Sequence, residues 1–149
     1  MSSGVYVALA AVVVALAAGA SLALTNGRFR GTHAVRGATQ ADEPAPASAL
    51  LGSAYEEELG ERATLLQFSS AFCAPCRATR RILTDVAGQV PGVRHVEVDA
   101  EDHLDLVRRL GILRTPTTLV LDAAGHEVVR ASGAPTKVQV YDALASALP

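Results

Sequence analysis

The feature of this sequence that most restricts its folding is an uncharged apolar block of twenty residues, from Val5 to Leu24. As a helix that rises about 1.5 Å per residue, the block spans roughly 30 Å, which matches the hydrocarbon core of a bilayer. Its only polar side chains are those of Tyr6 and Ser21, near its two ends. We therefore predict a transmembrane helix at 5–24, which attaches the protein to the cell membrane by a single pass and makes the lipid bilayer one of its partners.

The alternative interpretation of this block is a cleaved signal peptide, because the small residues Ala18–Ala20 resemble a cleavage site. Against it, no Lys or Arg precedes the block, and the block is longer than the apolar part of a usual signal peptide. Arg28, Arg30 and Arg36 follow the block. The positive-inside rule then favours the cytoplasm for the carboxyl-terminal side.

Residues 25–49 are rich in Gly, Ala and Pro, and only Phe29 and Val35 among them are sizeable apolar residues. Because no period is visible, we predict a flexible linker at 25–49 and one folded domain at 50–149. The formal net charge of the chain is −2. That charge provides no basic surface for phosphate backbones, so we expect no nucleic-acid partner.

From residue 50 onward the apolar residues alternate between helical and strand periods. The first predicted elements are a short acidic helix at 53–60, a strand at 64–68 and a helix from the cysteine motif to about Val86. A strand at 93–98 and a short helix from Leu104 to Leu110 follow. The last are strands at 117–121 and 127–131, joined by a turn at 122–125, and a terminal helix with Val140, Leu144 and Leu148 facing inward. This order predicts an α/β fold, in which a central mixed sheet has helices on both faces.

The two cysteines of the chain, Cys73 and Cys76, follow a predicted strand and stand at the amino end of a predicted helix. Unpaired N–H groups and the helix dipole at that end stabilise a thiolate, which is the nucleophile of thiol–disulfide exchange. Cys76 lies one turn further in, within disulfide distance of Cys73 and more sheltered from solvent. Pro75 lies in the first turn, where a missing N–H costs little. We predict that Cys73 is the nucleophile, that Cys76 resolves the mixed disulfide, and that the two form a redox disulfide.

A Cys-X-X-Cys motif can also form half of a zinc site. Zinc requires four ligands, however, and the chain has no second cysteine pair. Its four histidines, His33, His95, His103 and His126, are scattered over different predicted elements. We therefore expect no metal site. We also expect no bound cofactor, because the electrons pass through the cysteines.

Several motifs together resemble the thioredoxin family over roughly residues 50–149. They are Phe68-Ser-Ser-Ala-Phe72-Cys-Ala-Pro-Cys76-Arg, then Val98-Asp99, then Arg114-Thr115-Pro116-Thr117. The resemblance implies the thioredoxin fold and an enzyme that exchanges disulfides with protein substrates. It makes Pro116 the cis-proline that lies against the disulfide. It also implies substrate contact at Phe72, Ala74, Pro75, Thr115 and Gly133. The apolar block and the Arg-rich composition resemble membrane-tethered bacterial thioredoxin-like proteins.

Some positions depart from the family pattern. Phe72 and Ser69 stand where thioredoxins have tryptophans, which reduces the aromatic cover of the site. Gln67 stands where the family has a buried Asp that helps to deprotonate the resolving cysteine, and a neutral amide cannot accept that proton. His95 stands where the family has a Lys. We hypothesise that His95 lies beneath the cysteines and is the proton acceptor for Cys76. The alternative is a half-buried strand histidine with no chemical role.

The sequence as a whole predicts a membrane-anchored thiol–disulfide oxidoreductase that reduces protein disulfides. Because Pro75 is kept between the cysteines, we expect a reducing potential. The competing interpretation is a redox-inert thioredoxin-like binding module, motivated by the lost Asp and Trp positions. The electron donor stays open: a thioredoxin-reductase-like protein on the cytoplasmic face, or a membrane thiol carrier on the outer face, as in the cytochrome c maturation proteins that the chain also resembles.

Overall fold

The computed structural model describes residues 3–25, 27–31 and 48–148. Its first element is helix α1, Ser3–Thr25, which contains the predicted apolar block. Residues Gly4–Ala23 of this helix are long and apolar enough to cross a membrane, and none of this stretch is buried against the rest of the protein. A signal sequence near an amino terminus has the same properties.

The remaining described elements form a sheet and its covering helices. They are β1 Phe29–Gly31, β2 Ala63–Ser69, α2 Ala74–Gln89, β3 Val93–Asp99, α3 Leu104–Arg109, β4 Thr117–Asp122, β5 Glu127–Ser132 and α4 Lys137–Ala147. In the described part of the chain the strand order is β1-β5-β4-β2-β3. The β2–β3 pair is parallel and the other pairs are antiparallel. The predicted α/β architecture with a mixed sheet is confirmed.

Strand β2 lies between β4 and β3 in the sheet, and all seven of its residues are buried. A strand that is covered on both faces reads as a nearly continuous apolar run, and β2 does so except at Thr64, Gln67 and Ser69. The cysteine motif follows the end of this strand directly. A fully buried strand therefore positions the first turn of α2.

Two apolar clusters lie on the two faces of the sheet. On one face, α2 and α4 bury Leu83, Val86, Val140 and Leu144 against the sheet. On the other face, Leu106 of α3 packs into the second cluster. Helices thus cover both faces, as the alternation of periods predicted. Helix α4 begins with a capping box between Thr136 and Gln139, which satisfies two of its amino-terminal N–H groups.

The predicted acidic helix at 53–60 is wrong, because only a single 3₁₀ turn forms there, at Glu56–Glu58. Local side-chain hydrogen bonds compete with a longer helix in this segment. The hydroxyl of Ser53 donates to the carbonyl of Leu50, and the carboxylate of Glu56 accepts from the amide of Gly52. These bonds hold the segment as successive turns.

Within the predicted linker at 25–49, residues 29–31 form strand β1 and pair antiparallel with β5. The edge of β5 offers backbone N–H and C=O groups for hydrogen bonding. A short neighbouring segment can pair with these groups whatever its side chains are. Phe29 is partly buried against the cluster beneath α4, and Ala49 is buried in the opposite cluster. Residues 32–47, with Val35, His33 and Arg36, lie outside the described part.

We predict that Leu119→Ala in strand β4 lowers the free energy of unfolding by about 2–5 kcal/mol, because it removes a fully buried side chain and leaves a cavity. The matched control is Leu113→Ala, whose side chain is 95% exposed; its effect should stay within about 0.5 kcal/mol. Urea denaturation of the full chain in detergent, followed by far-UV circular dichroism, measures both. Equal effects of the two substitutions would contradict the core assignment.

Candidate active site

Cys73 and Cys76 form a disulfide at the amino terminus of α2, with their Cα atoms 5.2 Å apart. Cys73 is the N-cap residue and is partly exposed, whereas Cys76 lies one turn into the helix and is 2% exposed. The backbone amide of Cys76 donates to Cys73 Sγ over 3.1 Å. The same N–H also donates to the carbonyl of Cys73 over 3.1 Å. A shared N–H of the first helical turn therefore points at the more exposed sulfur, where it stabilises negative charge.

The loop before β4 is bound to the segment that carries the cysteines. The Thr115–Pro116 peptide bond is cis, as the resemblance implied, and Pro116 is buried. The hydroxyls of Ser70 and Thr115 form a 3.1 Å hydrogen bond, and Ser70 lies three residues before Cys73. The carbonyl of Pro116 accepts from the amide of Gly133 over 2.7 Å. Hydrogen bonds thus connect the segments of the cysteines, Thr115-Pro116 and Gly133.

The residues expected to contact substrate differ in exposure. Phe72 is 98% exposed directly beside Cys73, and Ala74 and Pro75 are exposed as well. Thr115 is partly buried and Gly133 is buried. Leu113 was missed by sequence reasoning, although its apolar side chain is 95% exposed at the start of the loop that leads to Pro116. The sequence does not distinguish Leu113 from the adjacent apolar residue Ile112, so it does not show which of the two faces solvent.

Gln67, which replaces the family's buried acid, is fully buried under the first turn of α2. Its Nε2 donates to the carbonyl of Cys76 over 3.0 Å, and its Oε1 lies 3.2 Å from Nε2 of His95. Because a carbonyl only accepts, the amide oxygen of Gln67 must face His95, and Nε2 of His95 must donate. Nδ1 of His95 lies 3.0 Å from the hydroxyl of Thr84 and accepts from it when the ring is neutral.

The surroundings of His95 favour the neutral form of its ring. Burial lowers the pKa of His95 from 6.5; Glu97 opposes this shift and Arg80 adds to it. Burial alone would raise the pKa of Glu97, but hydrogen bonds from Arg80 and Ser69 outweigh it and lower that pKa. Arg80 and Glu97 form an ion pair between α2 and β3. Gln67 therefore stands between the backbone of Cys76 and a neutral histidine.

Other histidines of the described segments have their own partners. His103 bonds the hydroxyl of Tyr55 over 2.8 Å, and Nδ1 of His126 lies 3.2 Å from a carboxylate oxygen of Asp122. Within residues 3–25, 27–31 and 48–148, no group of three or more His, Cys, Asp or Glu residues is placed to hold a metal ion. His33 lies outside these residues.

The fold and this dithiol site define a protein of the thiol–disulfide exchange class, and comparison with known proteins gives its family. A family model described as thioredoxin matches residues 47–146, well over half of the chain. The chain belongs to the thioredoxin family. It is 30% identical over 78 residues to a thioredoxin of Mycoplasma genitalium, covering 52% of this chain and 76% of that one. It is 34% identical over 61 residues to thioredoxin domain-containing protein 2 of Homo sapiens, covering 41% of this chain and 11% of that one.

Solved structures show the same fold. A mutant thioredoxin from Halobacterium salinarum superposes with a TM-score of 0.55 at 19% identity, covering 60% of this chain and 77% of that one. A thioredoxin of Fasciola hepatica gives a TM-score of 0.54 at 23% identity, covering 61% of this chain and 86% of that one. The predicted thioredoxin fold and family are confirmed. The family and the cysteine pair together support a thiol–disulfide oxidoreductase in general.

We predict that acid destabilises the wild-type protein more steeply than the His95→Gln variant. Because the pKa of His95 is lowered in the folded state, the unfolded chain takes up a proton first as the pH falls. The neutral ring contributes its full share to the free energy of unfolding above pH 6.5, the pKa of His95 in the unfolded chain. That contribution is lost as the pH falls from 6.5 toward the lower pKa of His95 in the folded protein. Urea denaturation at about pH 7.5 and about pH 5.5 measures this difference and avoids most carboxylate titration. Parallel losses in the two proteins would contradict the placement of His95.

Proposed function

We propose that this protein is a membrane-anchored thiol–disulfide oxidoreductase that reduces protein disulfides. The observation that carries the proposal is the difference between the two sulfur positions. Cys73 is partly exposed at the helix terminus and receives the amide of Cys76, whereas Cys76 is buried behind it. An accessible, activated sulfur with a sheltered partner is the minimum that exchange through a mixed disulfide requires. The length, apolar composition and exposure of α1 support its role as the anchor.

The proposed reaction begins with the reduced pair. The thiolate of Cys73 attacks one sulfur of a substrate disulfide, which forms a mixed disulfide and releases the other substrate sulfur as a thiolate that takes up a proton. The deprotonated thiol of Cys76 then attacks Cys73 Sγ, which closes the Cys73–Cys76 disulfide and releases the second substrate sulfur. Two electrons pass to the substrate. A dithiol donor must return them before the next cycle.

The substrate in this proposal is an extended polypeptide that lies across the cysteines and the Pro116 loop. Phe72 and Leu113 offer exposed apolar side chains for it, beside Cys73 and before Thr115 respectively. Ala74 and Pro75 contact it on the cysteine side. Thr115, Pro116 and Gly133 form the other side of the site, which is held together by the hydrogen bond from Gly133 to Pro116.

The electron donor in this proposal is a thioredoxin-reductase-like protein or a membrane thiol carrier, depending on which membrane face carries the domain. The basic residues Arg28, Arg30 and Arg36 after α1 favour the cytoplasmic face. Of these, Arg28 is exposed.

The roles of the two cysteines are tested by trapping. In the full chain in detergent micelles, Cys76→Ser should accumulate a mixed disulfide with a disulfide-bonded peptide, because the resolving thiol is missing. Cys73→Ser should accumulate little of this mixed disulfide, because its remaining thiol, that of Cys76, is buried. Mass spectrometry of the unreduced proteins measures both adducts. Equal trapping would contradict the assignment of Cys73 as the nucleophile, and binding of the peptide without any adduct would favour the redox-inert binding module.

For His95 we propose a positioning role through Gln67, which differs from the proton acceptor that the sequence led us to hypothesise. The hydrogen bonds support this role, because the ring donates to Gln67 and its lone pair faces Thr84. Gln67, held in that orientation, donates to the carbonyl of Cys76 and fixes the first turn of α2. Because Nε2 already donates to Gln67, the ring can take up a further proton only at Nδ1, which is engaged by the hydroxyl of Thr84.

This proposal predicts different results for two substitutions of His95. His95→Gln keeps a donor toward Gln67, so mixed-disulfide resolution should follow the wild-type pH profile between about pH 6 and pH 8. His95→Leu removes the donor and leaves Oε1 of Gln67 unsatisfied, which should slow resolution by about threefold to tenfold at every pH in that range. Stopped-flow measurement of peptide release gives the rates. A pH dependence that disappears in His95→Gln would instead support the proton-acceptor role.

A further inference from the structure

Residues 27–31, which we call the strap, follow the end of α1 at Thr25 and dock on the edge of the sheet. The amide of Gly27 donates to the carbonyl of Ser132 over 2.9 Å. Strand β1 within the strap then pairs with β5, with Phe29 opposite Ala131. The strap is therefore part of the folded domain.

The contact at Gly27 is too close for another residue type. Gly27 is buried and has a φ of 75°, a conformation that residues with a Cβ rarely adopt. A Cβ at this position would overlap the carbonyl of Ala134. Phe29 packs against the cluster beneath α4. The fit depends on a glycine at this one position, so the docking can be broken selectively.

The docking point of the strap, Ser132, lies next to Gly133 of the candidate active site. The carbonyl of Ser132 accepts from Gly27 and also from the guanidinium of Arg114, over 2.6 Å. The next residue, Gly133, donates to Pro116. Two consecutive residues thus connect the strap on one side to the Pro116 loop on the other.

The connection from α1 to this point is short. Gly27 is the second residue after Thr25, and an extended chain covers at most about 7 Å over two residues. The flexible linker predicted for 25–49 would have allowed a root-mean-square reach of about 25–30 Å. When α1 spans a membrane, the strap therefore places the Pro116 side of the active site next to the bilayer surface.

We propose that the strap holds the dithiol beside the bilayer, and that the substrate is consequently a disulfide in a polypeptide that lies at the membrane surface. This inference rests on the proposed function, because it uses both the anchor and the exchange reaction. The exposed apolar side chains of Phe72 and Leu113 suit such a polypeptide, whose surface-lying segments are partly apolar. Disulfides held well away from the membrane react slowly, because their effective concentration at the dithiol is low.

The position of the dithiol can be measured without any redox activity. In the full chain carrying Cys76→Ala, Cys73 is the only thiol and takes a bimane label. The protein is reconstituted into phosphatidylcholine liposomes with or without nitroxide-headgroup lipid, and the nitroxide quenches bimane at short range. We expect strong quenching. Gly27→Val should weaken it at least about threefold, because the undocked strap lengthens the tether.

Gly52→Val is the matched control. Gly52 has a φ of 69°, close to that of Gly27, but a Cβ there meets nothing within 4 Å. In the Gly52→Val protein, the bimane label should be quenched as strongly as in the parent protein. Should Gly27→Val fail to fold, an insertion of about ten Gly/Ser residues after Thr25 lengthens the connection and leaves the domain intact; it should weaken quenching equally. Absence of quenching in the parent, or unchanged quenching after the insertion, would overturn the proposal.

The substrate claim is tested with two disulfide peptides on the same liposomes, one joined directly to a lipid headgroup and one through a long polyethylene glycol spacer. Wild type should reduce the surface peptide about tenfold faster than the spaced one, and the insertion should abolish that preference. Equal initial rates in wild type would overturn the substrate claim. If wild type reduces neither peptide, nor a free peptide in detergent, the proposed function fails; the bimane quenching then still decides whether the strap places the dithiol at the membrane.

Discussion

The interaction on which the rest of the site depends is the hydrogen bond from the amide of Cys76 to Cys73 Sγ. It exists because β2, buried along its whole length, delivers the chain to the amino terminus of α2 at a fixed position. The helix end then stabilises charge on Cys73 and not on Cys76, which faces the interior. The different roles proposed for two identical side chains follow from this one difference in position.

Beneath the cysteines, a neutral polar network that runs from buried Gln67 through half-buried His95 to exposed Thr84 takes the place of a buried acid. Gln67, His95 and Thr84 satisfy one another and the carbonyl of Cys76. Because the network is neutral, it avoids the cost of a buried charge. Because every buried polar group in it has a partner, it also avoids the cost of an unsatisfied hydrogen-bonding group. It also leaves no group there that can accept a proton while the bonds stay as they are. In the role proposed for His95, the network holds the first turn of α2 in place, and the proton of Cys76 leaves by another path.

The sequence predicted most of the fold and the dithiol, because both rest on local signals. Apolar periods indicated β2, α2 and α4, and the spacing of Cys73 and Cys76 indicated the redox pair. Strand β1 was missed because three residues are too few to show a hydrophobic periodicity. They form a strand only because they pair with the open edge of β5. The partners of His95 were missed for a similar reason: Thr84 and Gln67 come from different elements and meet only after the sheet and α2 have packed.

The proposed reaction requires Cys73 and Cys76 to form a reducing, reversible dithiol pair. The most direct measurement is a redox titration of the full chain in detergent, equilibrated in dithiol buffers and scored by alkylation of the free thiols. We expect a reversible two-electron transition near about −270 mV, the range of thioredoxin. A transition near about −120 mV would mark an oxidant and contradict the proposed reduction of substrates, and a pair that never titrates would indicate a redox-inert module.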